Sequence, residues 1–376
     1  MKFGIDSRSI NLHAGSGIGT YTKNLVENLL KIDNINKFNL IWTGNVPSEF
    51  IKDNVDITLT SGKYSRFYET YYIPNLMKKE NMNLYHLTQN GIGFPFEFDI
   101  PVVVTVHDLI PYTMPETVGK GYLNKFLKEM PSIISLTKGI ITVSEYSKKD
   151  IIRFFPSFPE DKIFVTPLAT NDNFKPISKK YCKSYIKKNY MIDSDFILYI
   201  GGFSSRKNVK GLILAFSEIK NSLKKPHKLL IGGSLRDEGL KLKEMVTSMG
   251  LENDVIFTGY LDDSILPIFY NASEAFIYPS LYEGFGLPPL EAMSCGTPVI
   301  TSNLTSIPEV TENASLLINP FDINELSYTL LKLLNDESLK NTLKIKGLNR
   351  SKEFSWKKTA KETLTAYNKL CDTINQ

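Results

Sequence analysis

Two glutamates eight positions apart, Glu283 and Glu291, stand in the segment LYEGFGLPPLEAMSCGTPV, where Gly284 and Gly286 flank Phe285. Glycines let a backbone take positive φ and let a ligand approach the amides closely. Pro288 and Pro289 suit the first turn of a helix, where a missing N–H removes no hydrogen bond. A helix start of this kind offers N–H donors and a positive dipole end to an anion, while a carboxylate beside it can accept sugar hydroxyls. Glu283 and Glu291 could then hold different sugars; the plainer alternative makes Glu291 an N3 capping acid and Glu283 a solvated loop residue.

A second group lies in YIGGFSSRKNVKGL, an apolar run followed by a turn that carries Arg206 and Lys207. An arginine fork and a lysine point charge together suit the two phosphates of a leaving nucleotide, and would stabilise the negative charge that grows as a glycosidic bond breaks. A solvated basic pair is the competing reading. His107 and Asp108 close the run VVVTVHDLIP, at the carboxyl end where open α/β sheets place their ligands; for the histidine a purely structural role is the alternative. Near the N-terminus, HAGSGIGTYTKNL sets Gly15, Gly17 and Gly19 between a strand and an amphipathic helix, where amides can approach a phosphate or an acceptor. The spacing is not GxGxxG, and the next strand, FNLIWTG, has no acid for an adenosine ribose, which argues against a nicotinamide enzyme. Glu309 in TSIPEV reads as an acidic helix-start residue, and Ser144 with Glu145 in TVSEYS as a helix N-cap.

EGFGLPPLEA resembles the E-x7-E motif of the large retaining glycosyltransferase family with the GT-B fold, the group 1 and family 4 glycosyl transferases, and within it the mannosyltransferase-like members. The similarity runs over nearly the whole chain: the glycine loop, HDL, TVSEYSKKDI, the RKN turn, FTGYLDD and the closing SW-containing helix follow in the family's order. The resemblance implies an α/β GT-B fold of two Rossmann-like domains facing across a cleft. It implies that Glu283 contacts the donor sugar and Glu291 the nucleotide ribose, and that the amides of Gly284, Phe285, Gly286 and Leu287 hold the sugar or its phosphates. It sets His107, with Asp108 next to it, beside the donor sugar's reacting carbon, Gly15 and Gly17 along the diphosphate and acceptor, and Glu309 near the nucleotide pocket. Many members carry arginine where this chain has Gly202, so the phosphate clamp falls on Arg206 and Lys207, as in the subgroup whose motif reads RKN.

The function this implies is transfer of a hexosyl group, with retention, from a nucleotide-diphosphate sugar to a saccharide, lipid-linked or protein acceptor, in cell-surface polysaccharide or glycoconjugate synthesis. No convincing nucleophilic carboxylate faces the acceptor side; the resemblance implies that the leaving phosphate helps deprotonate the acceptor as it attacks from the same face, with domain closure excluding water. The FTGYLDD and FEFDI segments give no DxD triplet, and neither metal nor other cofactor is expected. Two rivals stand beside this reading: a nucleotide-sugar epimerase of the same architecture, which needs no acceptor, and a scaffold that binds the donor without catalysis.

Elements able to position these groups are visible in the patterning. Short β-branched runs at 2–6, 38–43, 55–59, 84–87, 102–107, 139–143 and 164–167 alternate with amphipathic stretches, and the series restarts at 196–201, 228–232, 255–258, 275–278 and 299–301. The restart follows a lysine-rich stretch at 178–188 and predicts two domains, 1–176 on the acceptor side and 177–355 on the donor side, with a helix at 356–376 packing back on the first. In KYSRFYETYYIPNLMKK the rings read as a core-packing helix with snorkelling lysines, with a sugar or anionic-lipid surface as the alternative. A chain of 376 residues with 42% hydrophobic and 22% charged residues suits two globular domains, and a net charge of +4 is too small for a nucleic-acid partner. With three scattered cysteines and no secretory or membrane-spanning run, the expectation is a cytoplasmic protein, peripheral at most to the inner face of a membrane.

Overall fold

The structure, a computed structural model, describes residues 1–372. They form two compact units: Met1–Leu168 together with the stretch that begins at Ser355, and Ala169–Phe354. The division passes ahead of residue 176. The lysine-rich stretch is not a linker but the helix Lys179–Tyr190 of the second unit, with Cys182 and Ile186 buried and Tyr190 packed edge-on against Phe269.

The first unit is built on β1 (Lys2–Asp6), β2 (Lys37–Thr43), β3 (Val55–Thr60), β4 (Leu84–Leu87), β5 (Val102–Val106), β6 (Gly139–Thr142) and β7 (Ile163–Val165), in the spatial order β3-β2-β1-β4-β5-β6-β7. Every neighbouring pair is parallel. β4, β5 and β6 are buried along their whole length, because helices cover both faces of a parallel sheet, and this is why they appear in the sequence as unbroken apolar runs. The helix Gly17–Ile32 starts at Ser16, whose side chain accepts from the Gly19 amide at 3.2 Å. The helix Trp356–Asp372 closes this unit: Tyr367 lies 5.0 Å from the ring of Phe3, and Thr359 donates to the Pro167 carbonyl at 2.5 Å. Leu370 passes so close to β6 that a Cβ on Gly139 would meet its side chain at 2.5 Å and push it aside.

The aromatic stretch departs from its core-packing expectation. Ile73 and Met77 are buried, but Tyr64, Phe67, Tyr71 and Tyr72 are exposed. A π-helical turn at Tyr68–Tyr72 inserts itself before the helix Ile73–Lys79, and its wider register takes the upstream rings off the buried face.

The second unit carries β8 (Asp195–Ile200), β9 (His227–Gly232), β10 (Val255–Gly259), β11 (Ala275–Tyr278), β12 (Val299–Ser302) and β13 (Leu316–Ile318), in the order β10-β9-β8-β11-β12-β13, again all parallel. β13 was not expected; it is three residues long and only Ile318 is buried. Strand order reverses between β8 and β11, so the loops that leave their carboxyl ends emerge side by side, the switch point at which such sheets bind ligands.

Candidate active site

The two loops at this switch point carry Arg206, Lys207 and Glu283. After β8 the chain makes a short 3₁₀ turn, Ser205–Lys207, and Asn208 follows in the left-handed region. The Leu281 amide donates to the Arg206 carbonyl at 2.6 Å, tying this turn to the loop after β11. Glu283 lies within that loop and is 9% exposed, so it is not a solvated loop residue. Its Oε1 accepts from Lys207 Nζ at 2.5 Å, Arg206 Nη1 at 3.1 Å, Ser280 Oγ at 2.5 Å and Tyr278 OH at 3.1 Å. Burial alone would raise its pKa, but Lys207 and Arg206 outweigh it and hold the carboxyl below its usual range. Arg206 and Lys207 are themselves largely buried, which also removes the solvated-pair reading.

The backbone of the glutamate loop is clamped from β12. Thr305 accepts from the Glu283 amide at 3.1 Å, and Ser306 donates to the carbonyls of Glu283 and Phe285, both at 2.8 Å. Phe285 is buried with its ring 5.8 Å from Phe354. Gly286 follows at φ 119°, and a Cβ there would strike Ile307 at 2.7 Å, so the turn into the helix Leu287–Ser294 needs glycine. Leu287 opens that helix and Gly284 lies in the same loop. Glu291 falls beyond the first turn and so is not an N3 cap; its Oε2 accepts from Tyr270 OH at 2.9 Å, and burial pushes its pKa up to about 7. Glu309 sits in the first turn of the short helix Ile307–Thr311, its carbonyl held by Arg350 at 2.6 Å. At Gly202 a Cβ would meet nothing within 4 Å, so the lack of a side chain there is no demand of packing.

In the first unit, His107 follows β5 and is 9% exposed. Its Nε2–H donates to the Thr88 carbonyl at 2.9 Å, which leaves Nδ1 as the acceptor, and burial lowers its pKa to about 4. Its own amide donates to Asn90 Oδ1 at 2.7 Å. Asp108 caps the next turn by accepting from the Ile110 amide at 3.1 Å. Gly15, at φ 74°, and Gly17 flank Ser16 at the start of the helix Gly17–Ile32.

Residues 186–350 match the family described as Glycosyl transferases group 1, and residues 15–174 match Glycosyltransferase Family 4. The O-antigen chain mannosyltransferase B of Escherichia coli is 37% identical over 268 residues, covering 71% of this chain and 70% of that protein. This chain belongs to the group 1 and family 4 glycosyltransferases. The serotype-specific mannosyltransferase WbdA of Escherichia coli is 32% identical over 285 residues, 74% of this chain but 35% of that longer protein. A solved sucrose-phosphate synthase from Thermosynechococcus elongatus superposes with a TM-score of 0.76 over 99% of this chain and all of that one, at 22% identity, and shows the shared GT-B architecture.

Within this glycosyltransferase, Arg206 and Lys207 converge on a single carboxylate oxygen of Glu283, with the Gly284–Leu287 turn continuous with it. Sequence reasoning missed Tyr278, Ser280, Thr305 and Ser306. Tyr278 accepts from Lys207 at 2.5 Å while donating to Glu283, and its ring stacks between Tyr199 and Phe276. Its signal was present in the run AFIYPSLYEG, but a tyrosine ending an apolar strand reads as core.

Proposed function

We propose that this glycosyltransferase transfers a hexosyl group, in particular mannosyl, with retention and without a metal, from a nucleotide-diphosphate donor to a saccharide or lipid-linked acceptor in the assembly of a cell-surface polysaccharide. The observation that carries the reading is the paired cation set on Glu283: two cations and an acceptor-only carboxylate, preorganised at a sheet switch point, suit a diphosphate joined to a hydroxyl-rich sugar. The sugar and the pathway are suggested by the O-antigen mannosyltransferase at 37% identity.

On this reading the donor phosphates take up Arg206 and Lys207, and Glu283, relieved of them, accepts from donor sugar hydroxyls. The bond between the anomeric carbon and the phosphate oxygen breaks, its electron pair leaving on the diphosphate. The acceptor oxygen attacks the same face, and its proton passes to the departing phosphate. Arg206 and Lys207 stabilise the charge that develops there. Glu291, protonated or ionised near neutrality, can bond the ribose, and His107, neutral through that range, offers Nδ1 to a sugar hydroxyl. Among the described residues no helix is long and apolar enough to cross a membrane. The exposed Tyr64, Phe67 and Tyr71 beside Lys63 and Arg66 support peripheral contact with an anionic lipid face that presents the acceptor.

The test is a panel of nucleotide sugars, each followed by release of nucleotide diphosphate, with Glu283→Ala beside the wild-type enzyme and a chelator arm. Slow hydrolysis of one donor, lost in Glu283→Ala and indifferent to chelation, is expected. Epimerised donor with no release would overturn transfer, and loss of activity on chelation would overturn its metal independence.

A further inference from the structure

The first unit contains a buried polar chain that the proposed reaction does not use, and it ends on His107. Tyr367, on the helix Trp356–Asp372, meets His86 Nδ1 at 2.6 Å; His86 Nε2 meets Thr105 Oγ1 at 2.7 Å; and Thr105 Oγ1 meets Tyr21 OH at 2.9 Å. All four side chains are fully buried. Each hydroxyl and ring nitrogen in the chain has a partner, so its geometry is fixed rather than merely packed.

Tyr21 then turns this rigidity onto His107. The two rings meet edge to face, 87° apart in plane with centroids at 4.7 Å, a favourable aromatic geometry. On its other flank Tyr21 lies 6.3 Å from Trp356, whose buried indole N–H finds no hydrogen-bond partner, so Trp356 is held there by its ring. The same helix that carries Tyr21 also controls the other anchor of the histidine. Thr22 donates to Thr88 Oγ1 at 3.0 Å, Thr88 donates in turn to the Asp6 carbonyl at 2.8 Å, and it is the Thr88 carbonyl that accepts His107 Nε2–H. Tyr21 thus packs on the imidazole while Thr22, adjacent in sequence, holds the side chain of Thr88, whose carbonyl sets the tautomer.

We propose that Tyr21 is a positioning residue for His107, backed by Trp356 and by the Tyr367–His86–Thr105 chain, so that the closing helix of the first unit sets the orientation of the histidine. This rests on the role given to His107 above. An imidazole that must present one lone pair to a sugar hydroxyl gains from being held before the substrate arrives, since a small misplacement of a reacting group costs rate rather than affinity.

The experiment compares wild type with Tyr21→Phe, Tyr21→Leu and Trp356→Leu, each checked for folding by thermal unfolding. Two readouts are taken: the ¹⁵N–¹H ring spectrum of His107, assigned with His107→Gln, and kcat and KM for the donor found in the nucleotide-sugar panel. Tyr21→Phe keeps the ring contact but cuts the hydrogen bond to Thr105, and is expected to lower kcat about threefold with a small shift of the His107 ring resonances, while Tyr21→Leu lowers kcat about tenfold at nearly constant donor KM and shifts those resonances further. Trp356→Leu moves both readouts in the same direction by less, and serves where Tyr21→Leu does not fold. A folded Tyr21→Leu or Trp356→Leu with wild-type His107 resonances overturns the proposal. If the resonances move but His107→Gln keeps wild-type kcat, the positioning stands and the role assigned to His107 falls.

Discussion

Beside β8 and β11 the buried Glu283 is an ion neutralised by Lys207 and Arg206, whereas His86 in β4 and His107 after β5 are kept neutral by burial. Glu283 stays ionised because Lys207 and Arg206 overcome its desolvation; His86 and His107 are pushed down to about 3 and 4 because no carboxylate offsets theirs. Both regions occupy carboxyl edges of parallel sheets with the same reversal of strand order. In the first unit the contrast lies one strand away from the reversal, for at the reversal itself, between β1 and β4, Arg8 and Asp6 form a buried ion pair at 2.7 Å. A stored ion pair can exchange its carboxylate for an incoming anion without leaving a cation bare in the interior, while a neutral hydrogen-bonded set suits hydroxyls and would reject charge.

The contrast is tested most severely at Lys207. Replacing it with alanine should lower kcat by about 10²–10³-fold, the scale of losing one preorganised charge at the leaving group, and a drop of less than tenfold would detach the ionic cluster from the chemistry. Acidification separates the two regions next. Below pH 6.5 the unfolded chain takes up protons that His86 and His107 refuse when folded until about pH 3 and 4, so stability falls with pH by about 1.4 kcal/mol per unit for each histidine. Glu291 acts in the other sense: with its folded value raised from 4.5 to about 7, its contribution is complete below pH 4.5 and is lost as pH rises through 7. Hydrogen exchange at pH 5.5 against pH 7 should therefore deprotect β4 and β5 more than β8 and β11; equal loss in both would break the comparison. Within the ionic region the scale narrows to two glycines. Gly286→Ala, forced to φ 119° and against Ile307, should cost about 1–3 kcal/mol in thermal unfolding, while Gly202→Ala, with open space around it, should stay within about 1 kcal/mol.

Twelve of the thirteen strands among the described residues were legible, the central ones because a strand covered on both faces must be an apolar run and the edge strand β3 by the alternation in VDITLT. β13, a three-residue edge strand with only Ile318 buried, escaped because so short a run shows no period of its own, whereas the equally short β7 leads on into apolar residues at 167–169. The charged members of the site were legible for a related reason: Arg206, Lys207 and Glu283 stand in the short glycine- and serine-bearing turns that follow apolar strand runs. The groups that hold them were not. Tyr278 ends β11 and reads as core, and Thr305 and Ser306 reach Glu283 and Phe285 only through the fold, more than twenty residues away. The π turn at Tyr68–Tyr72 also left no trace, since composition does not distinguish it from a regular turn.

The helix Trp356–Asp372 gives the chain an unusual order of assembly. A ribosome delivers residues 1–168 first, yet the wall that Trp356 and Tyr367 supply to that unit is still unmade, and all of Ala169–Phe354 must be translated before it arrives. The second unit is thus the first whose sequence is complete, and the earlier unit waits with the binding surface for its last helix open. A free chain ending at Phe354 should hold a finished second unit while the first still lacks its keystone, and the protection of β4 and β5 should rise only when the closing helix is supplied.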